Sequence, residues 1–132
     1  KGNQVSWYKS KEKDYSYKTF RAYLDVVFAY AGTLSLAKEL TSVPVTSMQI
    51  GDVLIQGGSP GHAVIVVDMA ENPATGEKLY LLVQSYMPAQ DIQVLVNLKE
   101  RDKSPWYTLD GKGNILTPEW GFTSADLKRF KD

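Results

Sequence analysis

The sequence predicts a single α+β domain in which helices come first and an antiparallel sheet follows. Apolar residues recur at three- and four-residue spacing near the start of the chain, at Phe20, Leu24, Val27, Phe28 and Ala31; this is the mark of one helix face and reads as core. Short apolar runs then appear at residues 53–55, 63–67 and 79–83, the first two mostly β-branched, each bounded by turn residues as strands are. The order is helices and then strands, which favours α+β.

Residues 1–15 hold Trp7, Tyr8 and Tyr15 among lysines without any period and read as an extended arm pinned by its rings. Ser16 is placed to cap a helix over 17–31, which Gly32 ends. A shorter helix over 34–40, capped by Thr33, is left behind before Pro44, so the helical block is 16–40. The sheet block runs over 50–97. It opens with a turn at 46–50 and the pair Gly51-Asp52, and its first two strands flank a glycine loop. The polar segment 71–78 then folds 63–86 into a hairpin, and 92–96 reads as a further strand. Near-continuous apolarity in the first two strands predicts burial on both faces. Residues 98–132 read as loops, a short strand at Ile115-Leu116 and a closing helix. For that helix Thr123 and Asp126 resemble a capping box, and Leu127 and Phe130 supply the apolar side.

Composition narrows the function. Lysine plus arginine and aspartate plus glutamate each number 15, so the formal net charge is zero. Without a long basic block, nucleic acid is not an expected partner. No apolar run approaches the roughly 18 residues of a membrane span, so no transmembrane segment is expected here. There is no cysteine, which excludes a disulfide or a thiol nucleophile among these residues. One histidine without cysteine makes no ordinary zinc site, and neither a metal nor another cofactor is expected. The start at Lys1, without an initiator methionine, reads as a trimmed one.

The only histidine stands in the most distinctive stretch, residues 51–68, GDVLIQGGSPGHAVIVVD. Gly57-Gly58-Ser59-Pro60-Gly61 cannot continue a ladder, because Pro60 has no amide donor and glycine favours backbone shapes other residues avoid. His62 therefore opens a strand beside an irregular loop. It reads either as a hydrogen-bonded structural side chain or as a general base on a rigid platform. Gln84 is either satisfied by backbone or bonded to the His62 ring. A hairpin centred near Ala74 puts Gln84 and Ser85 roughly opposite 62–64, and a one-residue slip exchanges their faces.

The loop also spells G-x-S-x-G, but a serine-hydrolase elbow needs a following helix and a later histidine. Here a β-branched strand follows, and the histidine lies three residues after Ser59. A phosphate cradle lacks its Gly-Lys-Ser/Thr ending. Asp52 reads as a support for its turn, and Asp68 and Glu71 as solvated or paired. The segments Tyr86-Met87-Pro88, Pro105-Trp106-Tyr107 and Pro118-Glu119-Trp120-Gly121-Phe122 read first as satellite core. Their other reading is a groove for a sugar or peptide chain, with Tyr86 and Trp106 as lining.

At Gly51-Asp52, Gly61-His62-Ala63-Val64-Ile65-Val66 and Gln84-Ser85 the chain resembles the later half of the NlpC-type papain-like cysteine peptidases of bacterial cell envelopes. Over its whole length it more closely resembles a bacterial family known as a domain of unknown function, in stretches such as GGSPGHAVIVVD, LVQSYMPAQDIQVL and TPEWGF. The peptidase resemblance implies a papain-like antiparallel sheet packed against helices, seen here without its first helix. It puts the catalytic histidine at His62 and the residue that orients it at Gln84, where histidine is commoner. The nucleophilic cysteine would then stand upstream of Lys1. Hydrolysis of peptide or amide bonds in a peptidoglycan-like substrate follows, in the cell envelope or secreted, with Ser59, Ser85, Tyr86 and Trp106 as candidate substrate contacts. The alternative is a non-catalytic glycan- or peptide-binding domain on the same fold.

Overall fold

A computed structural model describes residues 8, 9, 12–111 and 113–131. Its contacts fall into two compact units, one ending at Ala31 and one running from Gly32. Trp7 and much of the arm expected over 1–15 lie outside the described residues. Tyr8 and Tyr15 of that arm are exposed rather than pinned.

The first unit holds helix α1, Tyr17–Tyr30. Its start is fixed as Ser16 implies. The Ser16 hydroxyl accepts from the Thr19 amide at 3.3 Å, while the Asp14 carboxylate accepts from the Ser16 amide at 3.0 Å and the Thr19 hydroxyl at 2.7 Å. No residue of α1 is buried. Phe20, Leu24, Val27 and Phe28, expected as core, therefore are not core, because a 3.6-residue period specifies a face and not what covers it.

In the second unit Gly32 is the N-cap of helix α2, Thr33–Glu39, so Thr33 is its first residue and not its cap. The strands are β1 (Thr41–Ser42), β2 (Val53–Gln56), β3 (His62–Glu71), β4 (Lys78–Gln84), β5 (Gln93–Val94), β6 (Tyr107–Thr108), β7 (Asn114–Leu116), β8 (Gly121–Thr123) and β9 (Leu127–Arg129). The main sheet runs β1-β9-β2-β3-β4-β5, with β6 also on β4, and β7 and β8 form a separate ribbon. All pairings are antiparallel.

The β3–β4 hairpin pairs Ile65 with Val83 and Val66 with Leu82, then shifts by one residue at a bulge before Asp68. At the His62 end this register puts His62, Val64, Val66, Tyr80, Leu82 and Gln84 on one buried face. The core on that face adds Leu54, Leu95, Tyr107, Phe122 and Leu127. On the other face α2 covers β2, and Leu36, Ala37 and Leu40 pack with Val53 and Ile55. Val53, Leu54 and Ile55 are thus buried on both faces. β3 is not, since Ile65 and Val67 are 45% and 38% exposed; the short α2 reaches only Ala63 of that strand.

The closing helix is replaced by a strand. Thr123 and Asp126 do form a capping box, but it closes a single 3-10 turn, Ser124–Asp126. Leu127 then pairs with Leu54 as β9 slots between β1 and β2. Full burial of Leu127 outweighs the local helix signal, as tertiary packing routinely does. Phe130, the other expected apolar contact of that helix, is exposed.

Asp52 is buried and does more than support its turn. Its carboxylate accepts from the Gln49 amide at 2.8 Å, from Arg129 Nε at 2.6 Å and from Arg129 Nη2 at 2.8 Å, so it ties the approach to β2 to β9. Gly51 beside it holds φ +92°, a backbone region that side chains disfavour.

Burial raises two of the 8 tyrosine phenols. Tyr107 is pushed up to about 12, first by desolvation and then by the Glu119 charge; Tyr80 is also pushed up, first by desolvation and then by neighbouring negative groups. A raised phenol pKa favours the neutral, folded form. This contribution is complete below the ordinary value of 10 and is lost as pH rises through about 12. In an alkaline titration followed by tyrosinate absorbance, two phenols are therefore expected to ionise late and together with unfolding. Titration of all eight before any loss of circular dichroism would contradict this.

Candidate functional site

His62 opens β3 where the glycine loop meets the start of α2. A Cβ on Gly57 would fall 2.8 Å from Ala37 Cβ and 2.9 Å from the Thr33 carbonyl oxygen, and one on Gly61 would collide with the Thr33 hydroxyl and the Gly58 backbone. The two glycines are thus required for close approach of loop to helix. The loop that precedes His62 is held against a regular element.

The ring of His62 is bonded on one side only. Its Nε2 lies 2.6 Å from Gln84 Oε1, and Gln84 Nε2 donates to Glu119 Oε2 at 2.7 Å. The chemistry of Glu119 fixes the polarity of this chain. An ionised carboxylate only accepts, so the amide nitrogen of Gln84 faces Glu119 and its oxygen must accept from His62. His62 therefore carries its proton on Nε2. Among the described residues Nδ1 has no hydrogen-bond partner, and no fully enclosed side-chain nitrogen or oxygen lacks one. Nδ1 accordingly keeps access to the cavity that His62 lines.

That cavity measures about 390 Å³, and its walls include Pro60, Gly61, Ser85, Tyr86, Met87 and Trp120. Apart from His62, no lining residue is titratable as a base, and none carries a formal charge. Rings crowd the imidazole: Tyr86 meets it edge-on at a centroid distance of 5.2 Å, Trp120 lies at 5.5 Å, and Phe122 stacks at 6.1 Å. Trp120 is locked in place by donation from Nε1 to Gln56 Oε1 at 2.9 Å. Gln56 is the direct cross-strand partner of His62.

Chemically, the chain Glu119–Gln84–His62 anchors one tautomer and leaves a basic lone pair at the cavity wall. When Nδ1 takes up a proton, the Nε2–H bond to Gln84 persists. Among the described residues no group of three His, Cys, Asp or Glu could hold a metal ion, and no helix is long and apolar enough to cross a membrane.

Of the residues singled out from the sequence, His62, Gln84, Ser85 and Tyr86 come together here. Ser59 is exposed and does not line the cavity; its neighbours Pro60 and Gly61 do. Trp106 does not line it either. It leads into β6, which pairs with Leu79 and Tyr80, whereas β5 pairs with Val83 and Gln84, so Trp106 belongs to the opposite end of β4. The tryptophan of the site is Trp120. Neither Glu119 nor Gln56 is singled out by the sequence as a site residue, since Glu119 meets Gln84 across 35 positions and Trp120 meets Gln56 across 64. A charged residue lodged between Pro118 and Trp120 in an aromatic loop is the one local hint.

No curated protein and no solved structure matches the chain. One family does: residues 1–129 match the profile described as Domain of unknown function (4846), and the chain belongs to that family.

Proposed function

We propose that this domain supplies the base and its orienting groups for a papain-like thiol hydrolase of the bacterial cell envelope, acting on peptide or amide bonds of a peptidoglycan-like substrate. The observation that carries this reading is the Glu119–Gln84–His62 chain, which presents Nδ1 to an uncharged, aromatic-walled cavity. The resemblance to NlpC-type peptidases in the His62 and Gln84 stretches supports the reaction class and the placement in the envelope. The thiol belongs to a segment upstream of Lys1. His62 Nδ1 takes the thiol proton as sulfur attacks the carbonyl carbon, then returns it to the departing amine. A water deprotonated by the same nitrogen releases the acid and restores the thiol.

The test uses the longest natural form of the protein and a peptidoglycan-derived peptide. Hydrolysis is expected from wild type and lost in His62→Ala; an unchanged rate in the variant overturns the assignment.

A second reading is favoured by the ring walls at Tyr86 and Trp120 and by the absence of cysteine from the chain. In that reading the same cavity binds a glycan or peptide without turnover. Saturable binding that Trp120→Ala weakens, with no hydrolysis by the longest natural form, would select it.

A further inference from the structure

Strand β4 points Tyr80, Leu82 and Gln84 to one buried face. Gln84 serves the His62 cavity at one end of that face. Tyr80 serves a different cavity at the other end, of about 300 Å³. Tyr80 is only 2% exposed, and its ring stacks on Tyr107 at a centroid distance of 5.6 Å. Buried tyrosine hydroxyls usually find a partner. That of Tyr107 does, donating to the Val96 carbonyl at 2.7 Å. The Tyr80 hydroxyl has none among the described residues, although no fully enclosed side-chain oxygen there lacks one. It must therefore open onto the cavity that Tyr80 lines.

The wall around it is built in advance. Glu100 accepts from the Thr108 hydroxyl at 2.9 Å and the Thr108 amide at 3.3 Å, and Asn97, itself 2% exposed, accepts from the amides of Lys99 and Glu100 at 3.0 Å each. Burial pushes the Glu100 carboxyl up, but the bonds from Thr108 and Asn97 and the charge of Lys103 outweigh it and hold the group below its usual range. It remains an ionised acceptor. Ser124 and Asn114 add neutral donors and acceptors, and Lys99 adds a cation.

We propose that this cavity binds one uncharged, polyhydroxylated ring of pyranose size. The Glu100 carboxylate on the wall disfavours phosphate, and its pairing with Lys103 at 3.6 Å leaves an ammonium group little to gain there. The volume is at the lower limit for small-molecule sites, which admits one ring and not a chain. An open phenol among fixed donors and acceptors suits a ring of hydroxyls, since preorganised groups lose little on binding. This site does not depend on His62.

The experiment is an amide NMR titration of the whole chain with glucose and with N-acetylglucosamine, using inorganic phosphate and tetramethylammonium as controls. At least one sugar is expected to give saturable shifts at Asn97, Thr108 and Tyr107. Tyr80→Phe is expected to weaken binding about 3- to 10-fold, the worth of one hydrogen bond, with the melting temperature unchanged because no protein partner is lost. His62→Ala should bind as wild type does. The absence of saturable sugar shifts, equal affinity in Tyr80→Phe, a fall in its melting temperature, or tighter binding of either control ion would each overturn the proposal.

Discussion

Arg129→Ala is expected to destabilise the second unit by about 3–5 kcal/mol, the usual range when a buried ion pair loses one partner. The size follows from what is left behind. Asp52 is 1% exposed, and its carboxylate accepts three bonds, two of them from Arg129. With the guanidinium gone, only the Gln49 amide remains bonded to a carboxylate that the fold holds 1% exposed. The reverse change, Asp52→Asn, is expected to be milder. The Arg129 side chain is 32% exposed and can recover hydration, and the amide still accepts from Gln49. Urea unfolding should show a lower midpoint at constant slope for both variants. A loss under about 1 kcal/mol in Arg129→Ala would mean the pair has little net worth, as exposed pairs do. Since domains are stable by only about 5–15 kcal/mol in total, the expected loss would remove a large share of the stability of this unit.

His62→Ala in the longest natural form of the protein is expected to lower hydrolysis by about 10²- to 10⁴-fold, the range of general acid–base catalysis. Gln84→Leu keeps the volume and removes the acceptor at Nε2, so the ring is no longer confined to one tautomer. Loss of the bond that holds the imidazole in one tautomer is expected to lower hydrolysis as well. The discriminating readout is the ring itself. Nitrogen-15 shifts of His62 should report an Nε2–H tautomer in wild type and a mixture in Gln84→Leu. A single unchanged tautomer in the variant would show that Gln84 fills space and does not orient. Neither substitution touches the hydrophobic contacts of Leu82 or Val64, so both proteins should remain folded.

Much of the central sheet is legible in the residues because its information is local. β2, β3 and β4 are apolar runs punctuated by Gly51, the glycine loop and the turn around Gly76, and hairpin register follows from loop length, which is how Gln84 comes within reach of His62. The rest depends on pairings between distant residues. Thr123 and Asp126 give an accurate local signal, a capping box, yet the next residues become β9 because Leu54 lies in wait 73 positions earlier. The exchange of Trp106 for Trp120 has the same origin. The sequence contains both rings in proline-flanked loops, but the division of one edge of β4 between β5 and β6 is set by the assembled sheet. The face of α1 shows the converse: its period is real, and burial does not follow from it.

The insertion of β9 between β1 and β2 also sets the order in which this unit can be completed. The hairpins among β2, β3 and β4 join near neighbours and can form early, but β1 has no strand to dock on until residues 127–129 arrive. During synthesis the unit therefore waits, with one side of β2 unpaired, until those residues clear the ribosome. Closing a loop of that length is slow compared with hairpin formation, and an unpaired strand edge is open to association in the interval. Among the described residues the strand that seals the sheet is also the latest in sequence, so truncation just before Leu127 would leave β1 without its partner and one side of β2 open to association.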